Sequence, residues 1–384
     1  MKEKKYLLVL NSGSSSLKFS LFEIKGKSVA KEYISGQVAR SHQGCDFNYH
    51  LGLKHKKIHY TSTFSVKTAW HYVHDLLAKL NIVYVGFRVV HGGEDFKETV
   101  KINQEVLQKI AKYNQLAPLH NPPARELIDL ARQTWPRLKM AASFDTAWYS
   151  SMAPEQYLYA LPWKYYSQHG IRKYGFHGLS HERCLELAAQ KSQKSPRQLE
   201  IISCQLGSGN SVSWYARGQV IDTSMGYGPN EGLIMSTRSG DLSPDVILYL
   251  AEELKMSPAR IKELLNRESG LLGLAGTGDL REILLANGYR VAQFRSSWKF
   301  SSREKKLAHL ALHKYIYSIR RYIASYAGQA RHLDALVFAG AVAVNPVIRK
   351  LVLKDLRLPK YTKILLAEGD ENYNIAIKTL RCLS

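Results

Sequence analysis

The ionisable residues best placed to do chemistry in this 384-residue chain stand in or directly after apolar stretches. Arg88 lies inside GFRVVHGGEDF, where an unpaired charge would be costly, so it must face a carboxylate or a bound anion. His120, Asp145 and His177 lie beside aromatic or proline residues in LAPLHNPPA, SFDTAW and YGFHGLSH. One such residue is ordinarily structural, and Arg88 could be half of a structural ion pair. Together with Arg238 in MSTRSGD, they favour a functional site over separate structural roles.

The turn in VLNSGSSSLKF, residues 9–19, carries four serines and a glycine between two strand patterns. YLLVL before it is typical of a buried strand, and LKFSLF after it alternates as a half-exposed strand does. The two form a predicted hairpin whose tip offers backbone N–H groups and hydroxyls to an anion. A plain surface turn is the alternative. The loop is not a Walker A loop, because no Gly-Lys-Ser/Thr follows and the next element is a strand.

A second hairpin, QLGSGNSVSW at 205–214, resembles the first, which suggests two domains of similar topology facing a shared cleft. A third glycine-containing segment, LVFAGAVAVN, again leaves a strand through small residues. Helices are predicted from Pro123, from Ser243 as N-cap, and over about 305–328, whereas QKSQKSPRQ at 190–198 is predicted to be a surface loop. This mixture of elements indicates an α/β architecture.

Composition bounds the class of protein. A hydrophobic fraction of 45% indicates a globular chain, and the net charge of +22 is spread widely enough to be solvated surface charge. We find no RNP, KH or zinc-finger pattern for nucleic acid, no apolar run of the roughly 20 residues that a membrane span needs, and no signal peptide. A cytoplasmic protein without membrane or nucleic-acid partners is expected. The four cysteines lack C-x-x-C spacing and are expected to be reduced thiols.

Taken together, the segments resemble the acetate kinases, in the superfamily that includes sugar kinases, Hsp70 and actin. The matching segments occur in the family's order between residues 9 and 282: VLNSGSSSLKF, GFRVVHGGEDF, LAPLHNPP, FDTAW, YLYALPWKYYSQHGIRKYGFHGLSH, DTSMGYGPNEGLIMSTRSGD and ESGLLGLAGTGDLRE. The resemblance implies two domains of duplicated actin-like ATPase (ribonuclease H-like) topology flanking a cleft. The first would comprise 1–149 plus 372–384, completed by the C-terminal helix, and the second, nucleotide-binding domain 150–371. A homodimer is also implied.

The reaction implied is reversible phosphoryl transfer from ATP to acetate, giving acetyl phosphate and ADP. Arg88 and Arg238 resemble the arginines that hold the substrate carboxylate and the transferring phosphoryl group, which suits planar, bidentate donors. His177 resembles a histidine that donates a hydrogen bond to that group, with His120 beside it. The nucleophile is already ionised at neutral pH, so a general base has little to do. We therefore favour a metal-orienting role for Asp145 among the catalytic residues.

Asn11 and Glu371, with Asp145, resemble the residues around Mg²⁺, or Mn²⁺, directly or through its waters. Glu371 is also open to a simpler interpretation, as an acidic residue at the start of a terminal helix, where the helix dipole favours it. A small acid is implied because four apolar positions match the walls of the family's acetate pocket. One methylene changes binding by only about 1–3 kcal/mol, so propionate should also be accepted. The four positions are Val90, Leu119, Phe176 and Pro229.

The positions that match the family's phosphate and nucleotide contacts are Ser14, Ser16, Lys18, Gln205, Leu206, Gly207, Ser208, Gly209, Asp279, Leu280, Arg281, Ala341, Val342, Ala343, Val344 and Asn345. Two of these stretches depart from the family. Gln-Leu-Gly-Ser-Gly replaces the usual His-Leu-Gly-Asn-Gly, and its side chains can still donate hydrogen bonds. The family's Gly-Ile-Gly-Glu-Asn becomes Ala-Val-Ala-Val-Asn at 341–345, which removes two glycines that allow close approach or positive φ.

The expectation is therefore ATP with weakened or altered nucleotide preference. Three alternatives stay open: a propionate kinase, a short-chain acid kinase that uses GTP or pyrophosphate, and a catalytically weak homologue that only binds nucleotide or a partner. The intact candidate residues argue against the last.

Overall fold

The structure, a computed structural model, describes residues 4–13, 15–292, 294–296, 298–368 and 371–384. The chain forms two compact units. Unit 1 contains the described residues within Met1–Ser150, His177–Ser180 and Gly369–Ser384, and unit 2 those within Ser151–Phe176 and His181–Glu368.

Unit 1 is built on an eight-stranded sheet in the order β5-β4-β3-β2-β1-β6-β8-β7. Strands β1 to β5 pair antiparallel in sequence, whereas β6 is parallel to β1 and β8 is parallel to β6. Its strands are β1 (Lys5–Ser12), β2 (Ser16–Lys25), β3 (Ser28–Ser41), β4 (Gly44–Leu51), β5 (Lys54–Tyr60), β6 (Ile82–Val89), β7 (Val100–Lys101) and β8 (Lys139–Phe144). Its helices are α1 (Val66–Leu77), α2 (Gln104–Lys112), α3 (Asn121–Thr134) and α13 (Asn372–Leu383).

Helices cover both faces of this sheet, which explains why residues 6–10 of β1 are apolar at every position rather than alternating. Leu8 and Leu10 belong to a core that also includes residues of α1 and α3. Leu7 and Val9 point the other way, into a smaller core that includes residues of α13. Gly86 in β6 permits this packing, because a Cβ there would collide with the Thr379 hydroxyl of α13.

Unit 2 is built on a five-stranded sheet in the order β11-β10-β9-β12-β13. Its strands are β9 (Glu200–Leu206), β10 (Asn210–Ala216), β11 (Gln219–Thr223), β12 (Ala335–Ala339) and β13 (Lys363–Ala367). Its helices are α4 (Pro154–Tyr157), α5 (Lys164–His169), α6 (Gly178–Ser192, with its first turn grouped in unit 1), α7 (Pro244–Glu252), α8 (Pro258–Glu263), α9 (Gly270–Ala275), α10 (Leu280–Ala286), α11 (Ser302–Gln329) and α12 (Pro346–Leu353).

The two sheets repeat one topology. In unit 2, β9, β10 and β11 form an antiparallel meander, and β12 and β13 then add parallel to β9. In unit 1, β1, β2 and β3 form the same meander, and β6 and β8 add in the same way. The predicted α/β class with a duplicated topology is confirmed, and so are both glycine-containing hairpins.

Several element boundaries differ from the sequence-based prediction. Helix α3 begins at Asn121 instead of Pro123, because first-turn prolines lack only N–H groups that a helix start leaves unpaired. Helix α6 continues to Ser192, so the predicted surface loop at 190–198 was wrong for its first three residues; residues 193–198 are exposed and contain only a short 3₁₀ turn at Pro196–Gln198. Ser243 does cap α7, as predicted.

The four cysteines are free thiols, as expected. Among the described helices, none combines the length and apolar composition needed to cross a bilayer.

Candidate active site

The strand order of unit 1 explains why three of the candidate residues lie close together. Strands β1, β6 and β8 run parallel, so their carboxyl ends meet at one edge of the sheet. Asn11 is the penultimate residue of β1, Arg88 is the penultimate residue of β6, and Asp145 directly follows β8. Their side chains therefore meet although they are far apart in sequence.

Arg88 and Asp145 form a two-point ion pair. The Nε of Arg88 donates to Oδ1 of Asp145 at 3.0 Å, and Nη2 donates to Oδ2 at 2.6 Å. The Asp145 side chain is 1% exposed and that of Arg88 is 17% exposed. A bidentate pair of this kind fixes the plane of the guanidinium, which a single contact would leave free to rotate.

Glu371 joins the same cluster from the residue that precedes α13. Its Oε1 lies 3.0 Å from Nη1 of Arg88 and accepts a hydrogen bond from Nδ2 of Asn11 at 2.9 Å. Nη1 of Arg88 also donates to Oδ1 of Asn11 at 3.2 Å. The Glu371 side chain does not cap its own helix. The contacts of Glu371 with Arg88 and Asn11 therefore account for an acidic residue at this position better than the helix dipole does.

His177 approaches the cluster through its backbone. Its N–H donates to the Asp145 carboxylate, and the N–H of Gly178 donates to the Asp145 carbonyl at 3.0 Å. His177 has φ +58°, a left-handed conformation that is unfavourable for a residue with a side chain. Such strain is retained where the surroundings enforce it, often at functional sites.

The two carboxyls of the cluster respond differently to it. Burial raises the pKa of Asp145, and the Arg88 guanidinium only partly opposes this. Burial would also raise the pKa of Glu371, but the positive charges of Arg88, Lys18 and His177 bring it below its ordinary value. Lys18 pairs with Asn11 across the β1–β2 hairpin, on the same face of the sheet, so it contributes charge at the cluster.

The donor set of this cluster fits a hard divalent cation. Asp145, Glu371 and Asn11 bring two carboxylates and an amide oxygen together, and oxygen is the ligand that Mg²⁺ prefers. Among the described residues, no group of three or more His, Cys, Asp or Glu side chains is arranged to hold a metal ion. Mg²⁺ usually keeps several waters and is bound through only one or two carboxylates.

The remaining candidates of unit 1 are Val90, Leu119, His120, Ser14 and Ser16. Val90 is buried directly after β6, and Leu119 is half-buried. His120 occupies the N-cap position of α3 without a side-chain capping bond. Ser16 begins β2, and its carbonyl accepts from Gly13 N–H at 2.8 Å. Ser14 lies outside the described residues.

In unit 2, Arg238 and Pro229 lie together. Nη1 of Arg238 donates to the Pro229 carbonyl at 3.3 Å and approaches Sδ of Met235 at 3.6 Å. Arg238 is half-buried, and partial removal from water lowers the pKa of its guanidinium from a very high ordinary value. Phe176, also in unit 2, is 1% exposed.

Unit 2 also contains a cavity of about 750 Å³, here called the first cavity. Its walls include the β9–β10 turn, the start of α10, the segment after α10 and the β12–α12 turn, together with residues of α9 and α11. The predicted nucleotide residues that line it are Gly207, Ser208, Asp279, Leu280, Arg281, Ala341, Val342, Val344 and Asn345. Its volume is in the range of pockets that enclose small organic ligands.

Four other predicted nucleotide residues of unit 2 are not in the lining. Leu206 and Ala343 are fully buried in the unit 2 core, so they support the wall from behind. Gln205 is half-buried, and Gly209 accepts a hydrogen bond from Gly207 N–H at 3.1 Å, which closes the turn.

The chain matches the model of the acetokinase family over residues 6–362. It belongs to the acetokinase family. It is 36% identical to an acetate kinase from Mesoplasma florum, over 96% of this chain and 91% of that protein. Its structure is similar to the crystal structure of a propionate kinase from Francisella tularensis, with a TM-score of 0.87 and 32% identity over 99% of this chain and 100% of the other. For a Porphyromonas gingivalis acetate kinase, the TM-score is 0.83, with 30% identity and coverage of 99% and 100%.

The alanines of the acetokinase segment 341–345 do not adopt the conformation that glycine uniquely allows. The described non-glycine residues with positive φ do not include Ala341 or Ala343. The preceding Gly340 does have φ +91°, and a Cβ there would collide with the Leu206 carbonyl. A need for positive φ therefore gives no reason to expect that either alanine weakens nucleotide binding. Close approach of the backbone to a ligand remains a reason for Ala341 alone, because Ala343 is buried in the core.

Sequence reasoning missed residues that complete the first cavity. Asn210 lines it, and its Oδ1 accepts from Gly207 N–H at 3.0 Å, which braces the glycine turn. An asparagine inside GSGNS is a recognisable turn-bracing signal. Ser236, Arg290 and Tyr315 also line the cavity, but no local pattern marks them because the fold alone brings them there.

Proposed function

We propose that this chain catalyses reversible phosphoryl transfer between ATP and acetate, giving acetyl phosphate and ADP. Membership of the acetokinase family and the acetate kinases among its relatives support this proposal. The observation that carries it is the Arg88 guanidinium held at two points by Asp145 in a cluster with Glu371 and Asn11. The cluster places a guanidinium and two carboxylates at the ends of three strands, where an anionic substrate and a hard cation would each find groups of opposite charge.

The proposed chemistry needs alignment more than proton transfer. Acetate is ionised at neutral pH and requires no base, and the transferring phosphoryl group requires cationic donors around its oxygens. Arg88 supplies a planar donor whose orientation Asp145 fixes. Asp145 accepts from Arg88 at two points and from the His177 backbone, so it acts as a positioning residue, with acceptor capacity left for a water of the cation. Arg238, in unit 2, is proposed as a further cationic donor to phosphoryl oxygens.

Asn11, Asp145 and Glu371 would hold Mg²⁺, or Mn²⁺, through its retained waters. When bound, the ion would neutralise phosphate charge and help to align the phosphoryl donor. Glu371 is suited to this role because its pKa lies below the ordinary value, so it stays ionised.

The first cavity would hold the nucleoside of ATP. Asp279 accepts the N–H of Arg281 at 2.9 Å, and their side chains pair at 2.6 Å, so this part of the wall is preorganised. Ala341 adds a methyl group to the lining, which could change which base the cavity accepts. GTP and pyrophosphate are therefore compared with ATP as phosphoryl donors. Propionate is the second candidate substrate, since the chain is similar in structure to a propionate kinase.

A homodimer is proposed from an exposed apolar surface on unit 2. On α7 and beside it, Leu242, Val246, Leu248, Tyr249 and Leu254 are each at least 42% exposed. None of the α7 residues is buried, although the helix is predominantly apolar. A surface of this kind usually marks a protein contact. A second copy of the chain would cover it through a two-fold interface.

The decisive assay traps acyl phosphates with hydroxylamine. Acetate, propionate and butyrate are each tested with ATP, GTP and pyrophosphate in the presence of Mg²⁺. We expect acetyl hydroxamate with ATP, a smaller rate with propionate and little with butyrate. No product from any of the nine pairs would contradict the proposal. A larger kcat/KM with propionate would favour the second candidate.

A further inference from the structure

Unit 2 has a second cavity, of about 680 Å³, that none of the proposed catalytic steps uses. Its walls come from α11, from the end of α12 and from the segment after α10. Leu312, Ile316 and Leu351 give it an apolar floor. The combination of an apolar floor and this volume is typical of a small-molecule site.

The rim of the second cavity is cationic and aromatic. Lys314 on α11 and Lys354 after α12 are exposed lysines that line it. The rings of His309 and His313, one turn apart on α11, are 4.3 Å apart and add two imidazoles to the same side. Tyr317, 66% exposed, presents a ring to solvent at the rim. Cations beside an accessible aromatic ring favour a ligand with both a phosphate and a flat ring.

Among its described residues, the lining contains one acidic side chain, Asp355, whose negative charge is balanced by a neighbouring arginine. Asp355 lies 3.8 Å from Nη1 of Arg320. Arg320 also donates to the carbonyls of Leu351 and Val352, where it fastens α11 to the last turn of α12. The lysines therefore leave the cavity with an excess of positive charge.

The two cavities of unit 2 share walls. Pro346 and Ile348 of α12 line the first cavity, and Leu351 of the same helix lines the second. On α11, Tyr315 faces the first cavity and Ile316 the second. A ligand that shifts either helix would therefore change the shape of both cavities, because packed elements move together.

We propose that the second cavity is an effector site for a small organic phosphate that carries an aromatic ring, and that its occupancy changes the affinity of the first cavity for nucleotide. The change of affinity rests on the proposed function, whereas the binding does not. Linkage requires that nucleotide changes the effector's affinity by the same factor.

The binding test uses 1-naphthyl phosphate as a fluorescent probe, with 1-naphthol and inorganic phosphate as the neutral and ring-free comparisons. We expect the probe to bind the full chain more tightly than either comparison. The double variant Lys314→Glu/Lys354→Glu should weaken probe binding at least ~10-fold, since it replaces attraction by repulsion. The charge-matched control Lys262→Glu/Lys360→Glu changes exposed lysines of unit 2 outside the lining and should stay within about 2-fold.

The effector test measures ADP affinity with and without saturating probe. We expect a shift of several-fold that reaches a plateau in the wild type and is absent in Lys314→Glu/Lys354→Glu. Three results would overturn the proposal: no probe binding, equal loss of binding in both double variants, or simple competition between probe and ADP without a plateau. An unchanged ADP affinity would overturn the effector role. Failure of ADP to bind without probe would instead contradict the proposed nucleotide site.

Discussion

At the scale of single residues, we expect the negative charge of Glu371 to contribute more to activity than its hydrogen bond does. Its Oε1 accepts from Asn11 and faces Arg88 at 3.0 Å. Glu371→Gln keeps an oxygen that can accept both contacts but removes the negative charge proposed to hold a cation. We expect kcat/KM to fall at least ~10-fold and the Mg²⁺ concentration for half-maximal activity to rise.

The matched control for that change is Glu368→Gln, which removes the same charge from an exposed residue nearby in sequence. Its Mg²⁺ titration should be superimposable on that of the wild type. Identical titrations for Glu371→Gln and Glu368→Gln would remove Glu371 from the metal site and return it to the role of a charge near a helix start.

His177 combines an imidazole with a left-handed backbone at φ +58°. His177→Ala loses the donor and keeps the unfavourable conformation, whereas His177→Asn offers an amide donor and a residue that tolerates this conformation better. We expect kcat to fall about 100-fold in the alanine variant and less in the asparagine variant. Equal kcat losses, measured at equal thermal stability, would show that the side chain donates nothing to the reaction.

How far the sequence predicts this cluster depends on what each residue's neighbours reveal. Arg88 can be recognised from the sequence as a site candidate, because a charge inside an apolar run needs an anionic partner. The contact of Glu371 with Asn11 joins the two ends of the chain, and it could be anticipated only through a family resemblance because no local pattern encodes it. The positive φ of His177 could not be located from the sequence, because histidine is enriched among left-handed non-glycine residues but only a few per cent of all non-glycine residues adopt this conformation.

At the scale of elements, the β12–α12 turn is the part of the site that departs most from the family pattern. Ala341 is exposed and lines the first cavity, whereas Ala343 is buried in the core. Because neither has positive φ, Ala341→Gly should change KM for ATP by less than about 3-fold. Ala343→Gly should mainly lower stability by about 1 kcal/mol, through a lost buried methyl and a freer backbone.

Steady-state kinetics and urea unfolding of the two single variants check this prediction. A 10-fold tighter KM for ATP in Ala341→Gly would mean that the alanine methyl group obstructs the nucleotide. The same gain in Ala343→Gly would contradict the buried position of that side chain.

Most helices and hairpins can be predicted from local turn and capping residues, whereas some helix ends cannot. The Gly-Ser hairpins and the Ser243 cap of α7 are predictable because turn and cap chemistry is local. The continuation of α6 to Ser192 was missed because polar residues such as those from Gln190 onward are compatible with both a loop and an exposed helix end. Boundaries of this kind depend on packing rather than on composition.

At the scale of the whole molecule, the exposed α7 surface predicts a dimer. Leu248→Glu places a charge on a residue that is 53% exposed, so the subunit should still fold while a covered apolar interface is disrupted. We expect light scattering after size exclusion to give a dimer mass for the wild type and a monomer mass for the variant. The control Glu252→Lys changes charge on the same helix without removing apolar surface. A wild-type monomer would contradict the prediction.

The central claim is that this chain transfers a phosphoryl group to a small carboxylate under the control of Arg88. The most direct measurement is ³¹P NMR of a mixture of acetate, ATP and Mg²⁺, with wild type compared with Arg88→Lys. Lysine keeps the charge but cannot form the two-point pair with Asp145. We predict acetyl phosphate and ADP resonances with the wild type and a rate at least ~100-fold lower with the variant. Absence of acetyl phosphate with the wild type, or equal rates for the two proteins, would contradict the account.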